Sequence, residues 1–104
     1  MAETLPSGAA TLAGNHPPVW DAYQELGAAC AAAGPLDART RRLVKLAIAI
    51  GQESEGAVHS HTRRALSEGL GKDEIRHVTL LAIPSMGLAK AAAGMTWVGD
   101  ILDR

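Results

Sequence analysis

The sequence predicts an all-α protein, a bundle of about five helices, on three observations. Apolar residues recur at three- and four-residue spacing from Trp20 onward, and no stretch alternates as a half-buried strand would. The apolar content, 47% of residues, rests on alanine and aliphatic side chains, with 3% aromatic and no phenylalanine. Small side chains suit close-packed helices and suit sheets poorly. Proline, glycine and capping residues punctuate the periodic stretches at Asn15, Gly34-Pro35, Asp37, Gly51, Gly69, Gly71 and Pro84.

The elements follow in order. Residues 1–14 are rich in Gly, Ala, Ser and Thr and read as a flexible lead-in, leaving residues 15–104 as one domain. Asn15 is a cap candidate for a first helix with Pro17 and Pro18 in its first turn. Trp20, Tyr23, Leu26 and Gly27 form its stripe, with Trp20 an anchor in the core or at a subunit contact. Asp37 should cap a second helix over 38–52, whose wide apolar band (Leu43, Val44, Leu46, Ala47, Ile48, Ile50) predicts burial on more than one side. A third helix runs from Ser54 to Glu68. The fourth opens at Lys72-Asp73-Glu74 and turns Ile75, Val78, Thr79, Leu81, Ala82 and Ile83 inward until Pro84 ends or kinks it. Leu88, Ala91, Ala92, Met95, Val98, Ile101 and Leu102 give the last stripe.

Ten basic against eleven acidic residues leave a net charge of −1 and a pI near 6.4, so the electrostatic footprint of a nucleic-acid or anionic-membrane binder is missing. The local cluster Arg39, Arg41, Arg42, Lys45 reads as a solvated helix face. No apolar run approaches the roughly 20 residues that span a bilayer, and the N-terminal stretch has neither the basic nor the apolar region of a signal peptide. The expectation is a cytoplasmic protein that binds neither nucleic acid nor membrane. Cys30 is the single cysteine, so a CxxC pair cannot exist; within GAACAAAG it reads as a small buried hydrophobe.

The stretch Glu53–Leu66 carries most of the chemistry. Two carboxylates and two imidazoles, Glu53, Glu55, His59 and His61, fall within nine residues. At about 100° per residue, Ser54, Ala57, Val58, His61 and Ala65 share one side of the helix, and Glu55, His59 and Arg63 another. His61 therefore faces inward, where each ring nitrogen needs a partner. Glu55 and His59, at i and i+4, have the spacing to share a divalent cation such as Zn²⁺, or form an exposed Glu–His pair. His16 and His77 read as surface residues.

Leu36-Asp37, Thr40 and Leu43, then His61 with Ala65-Leu66, then Gly69 and Glu74-Ile75 make the chain resemble the alkyl hydroperoxidase D / carboxymuconolactone decarboxylase superfamily over residues 36–102. The resemblance implies a helical subunit working as a homo-oligomer, a trimer or hexamer, with its site near subunit contacts. In the peroxidase branch a CxxCxxxH motif is joined by a glutamate twelve residues before its first cysteine. Aligning the motif histidine with His61 puts the cysteine positions on Ser54 and Ala57 and the glutamate position on Arg42. Without a thiolate at either position to attack peroxide and a second thiol to resolve it, dithiol peroxidase chemistry is disfavoured.

The decarboxylase branch implies cofactor-free loss of CO₂ from a lactone acid. That chemistry needs a proton donor and a cationic grip on the acid groups. His61, Ser54 and Glu53 are the catalytic candidates, and Arg42 and His59 the substrate-binding ones. Two alternatives stand beside this lyase- or isomerase-type enzyme: a non-catalytic oligomer binding a small molecule in the old pocket, and a metal site on Glu55 and His59. No cofactor other than that divalent ion is expected.

Overall fold

The computed structural model describes residues 5–104, so the first four residues of the expected lead-in lie outside the described residues. Six helices and no strand occur among them: α1 (Ser7–Asn15), α2 (Pro17–Ala32), α3 (Ala38–Gly51), α4 (Glu55–Ser67), α5 (Lys72–Met86) and α6 (Leu88–Leu102). The all-α expectation holds. One helix more is present because Ser7–Asn15, read as irregular, is helical. Its alanine-rich sequence has high intrinsic propensity but no wide apolar stripe for periodicity to detect.

Helices α3 to α6 form the core, each packing on the others, while α1 and α2 pack chiefly on one another. Leu46, Ile50, Val58, Ile75, Val98 and Leu102 are fully enclosed and hold the four helices together. Neither α1 nor α2 buries a single residue. Trp20 accordingly lies half-buried beside Tyr23, ring centroids 5.6 Å apart, and not in the core.

Local chemistry sets the boundaries. The Asp37 carboxylate accepts from Thr40 N–H at 2.8 Å and caps α3. Ser54 Oγ accepts from Ala57 N–H at 3.3 Å and caps α4. Between them Glu53 takes φ 56°, a left-handed conformation that costs a non-glycine residue about 1 kcal/mol or more. Gly69, at φ 88°, supplies the same handedness at the end of α4 without that cost. Pro84 does not end its helix: α5 runs two residues further to Met86, since the missing N–H falls in the last turn and forfeits only the bond to Leu80, an exposed residue.

Three expected burials fail for one reason. Val44 and Ile48 on α3 and Leu81 on α5 are exposed, because within one chain no element covers those flanks. The wide band of α3 is thus buried on one side only. At the opposite extreme, Gly94 of α6 is buried so tightly that a Cβ there would sit 2.9 Å from Ile50 Cγ2 of α3.

Candidate functional site

Helix α4 presents its two histidines to different neighbours. Residues two apart in a helix diverge by about 200°, so His61 turns toward α3 and His59 toward α6. Arg42 of α3 donates from Nη1 to His61 Nδ1 at 2.8 Å. The same guanidinium holds Glu68 bidentately, Nε to Oε1 at 2.9 Å and Nη2 to Oε2 at 2.8 Å. All three nitrogens of Arg42 are therefore engaged. The basic cluster is not uniformly a solvated face, because the Arg42 side chain is only 14% exposed. Arg39 reaches Glu74 instead, and Arg41 donates to the Leu36 carbonyl.

A guanidinium can only donate, so Nδ1 of His61 must accept. The neutral ring then carries its proton on Nε2. Glu68 keeps Arg42 in place, and the two hydrogen bonds from Arg42 hold the Glu68 carboxyl below the usual carboxylate range.

His61 lines an open cleft of about 770 Å³ between α1–α2 and the α3–α4 pair. Ser54 and Ala57, the positions matching the peroxidase cysteines, line it too, as do the cations Lys45 and Arg64. Cys30 is exposed and faces the same cleft, contrary to the expectation of a buried residue, because α2 does not join the core. A second cleft of about 450 Å³ runs between α3 and α5, walled by Val44, Val78 and Leu81 with His77 at its side.

The sequence-derived candidates thus separate. Ser54 and His61 come together at the first cleft, with Arg42 behind His61. Glu53 sits exposed in the α3–α4 turn outside the cleft lining, so it is not placed to act with His61. His59 is not placed to bind substrate there either: its Nε2 lies 3.0 Å from Asp100 Oδ2 of α6. Glu55 joins that pair, the three candidate ligand atoms lying within 4.8 Å of one another. Arg42, expected to grip a substrate carboxylate, spends its donors on Glu68 and His61. Sequence reasoning missed Glu68, although it lies seven residues after His61 and so on the same helical face. Asp100 had no local signal, since its partnership with His59 spans 41 residues.

A helical bundle that fixes an imidazole beside a cleft, and carries serine and alanine where a cysteine pair would stand, defines a protein of the alkyl hydroperoxidase D-like class without the dithiol, its single thiol being Cys30. The chain belongs to the carboxymuconolactone decarboxylase family, whose profile matches residues 17–100. It is also 42% identical over 50 residues to an uncharacterized protein of Haemophilus influenzae, an alignment covering 48% of this chain and 44% of that protein. The chain thus spans less than half the length of that relative. No helix among the described residues is long and apolar enough to cross a membrane.

Proposed function

We propose that this chain is a cofactor-free acid/base enzyme of the lyase or isomerase type, acting on a small organic acid held in the His61 cleft. The observation that carries this reading is the Arg42–His61 contact, which leaves the transferable proton on Nε2. Lys45 and Arg64, on the cleft wall, supply the positive charge that a carboxylate requires. Ser54 accepts from the α4 backbone and keeps its own O–H to donate.

In a decarboxylation the bond to the departing carboxylate breaks, CO₂ leaves, and the electron pair remains on carbon until a proton arrives. His61 Nε2–H delivers that proton, and solvent restores it. Arg42 and Glu68 act as positioning residues, because they touch the ring and not the substrate. The carboxylate grip expected of Arg42 passes in this reading to Lys45 and Arg64.

The test is turnover of carboxymuconolactone and of a panel of lactone and oxo acids, followed by loss of substrate absorbance. His61→Gln should lower kcat by roughly 10²-fold or more, the usual contribution of a positioned acid, with the helical circular dichroism unchanged. Arg42→Gln should lower kcat with less effect on KM. Turnover that survives His61→Gln overturns the acid/base role, and saturable binding of these acids without turnover favours the ligand-binding alternative. The chain works in this reading as a homo-oligomer whose partner covers the edge of the cleft, since Val19, Tyr23 and Leu26 stay exposed along α2, Tyr23 and Leu26 at the cleft itself.

A further inference from the structure

We infer that Glu55, His59 and Asp100 form a binding site for a divalent cation of the Zn²⁺ class, on the side of α4 away from the His61 cleft. The donors stand on two packed helices, Glu55 and His59 one turn apart on α4 and Asp100 on α6. None of the three lines the cleft, so the site stands independently of the acid/base reading.

The geometry is close to that of a coordinated ion. Ligand atoms bound at about 2.1 Å in a tetrahedron lie roughly 3.4 Å from one another. His59 Nε2 and Asp100 Oδ2 are already 3.0 Å apart, and all three candidate atoms fall within 4.8 Å. The exposed Glu55 side chain needs only a rotamer change to close the set. His59 is 21% exposed, so packing already restricts its ring before any ion arrives. An incoming cation takes the place of the hydrogen bond between Nε2 and the Asp100 carboxylate, and the neutral ring keeps its proton on Nδ1.

The donor set selects the ion. One imidazole nitrogen and two carboxylate oxygens, without sulfur, disfavour soft monovalent ions, and the imidazole disfavours calcium and magnesium, which prefer oxygen throughout. Three protein ligands leave a fourth position for water. The ion would tie α4 to α6 directly opposite the place where Arg42 ties α4 to α3.

The experiment uses the full chain, stripped with a chelator and titrated with Zn²⁺ against a chromophoric competitor. The expected result is one ion per chain with a Kd of about 1 μM or tighter, weakened about tenfold or more by Asp100→Asn and by His59→Gln. His77→Gln and His16→Gln should leave it unchanged. Zn²⁺ should also raise Tm in the parent chain and not in Asp100→Asn, whose substitution is at an exposed position and leaves the core intact. No uptake by the parent chain, or uptake that both Asp100→Asn and His59→Gln retain, overturns the site.

Discussion

Arg42 shows how one side chain can be both structural and chemical. Its charge is answered by Glu68 and not by the solvent expected of a basic cluster, while the same guanidinium reaches His61. Glu68 is 40% exposed, so the pair is worth less than its bidentate geometry suggests. Its sign with pH is nonetheless definite. The folded Glu68 carboxyl titrates below its ordinary value of 4.5, so its contribution to stability is complete above that pH and is lost as pH falls through the lowered value. Asp37, held down by the Thr40 N–H, and Glu74, held down by the Gly71 N–H and then Arg39, act in the same direction. Glu68→Gln should therefore flatten, without abolishing, the loss of stability below pH 4.5, measured by urea unfolding between neutral pH and about pH 3. An unchanged acid limb would remove Glu68 from this role.

At the scale of helices, a close approach of α6 to α3 is made by absence of a side chain. Gly94 lets α6 lie against Ile50 of α3. Gly94→Ala should cost about 1–3 kcal/mol through overpacking, even though alanine is the better helix former by about 1 kcal/mol. In an Ile50→Ala background, which removes the Cγ1 and Cγ2 atoms that crowd a Cβ at position 94, Gly94→Ala should cost less than in the parent chain, read as a double-mutant cycle by chemical denaturation. The sequence made the four core helices legible, and the cap of α3 as well, because Asp37 acts through a neighbour three residues away; the Ser54 cap of α4 has the same spacing and went unread. It made the tilt of the two histidines legible as well, because helical phase alone separates His59 from His61. It could not reveal Cys30 at the cleft or Asp100 beside His59, since both depend on how distant helices dock. Nor could apolar pattern foretell that Leu81 stays exposed, because periodicity marks a face without saying what covers it.

Across the whole molecule, apolar surface exceeds what one chain covers. Val19, Tyr23 and Leu26 recur at i, i+4 and i+7 on α2, and Leu26 is 60% exposed. A chain of 104 residues has a small core, and association is a common supplement to it. Sedimentation at micromolar concentration should show a trimer or hexamer, and the double variant Val19→Asp, Leu26→Asp should run as a smaller species with its helical content retained. A parent chain that sediments as a monomer would contradict this. The α1–α2 segment has a further consequence, because it buries no residue and packs chiefly on itself. One wall of the cleft belongs to the cooperative core and the other to a unit that can detach at lower free energy. Any molecule that bridges the two walls then acts as a staple, so its affinity and the amide protection of α1 and α2 must rise and fall together.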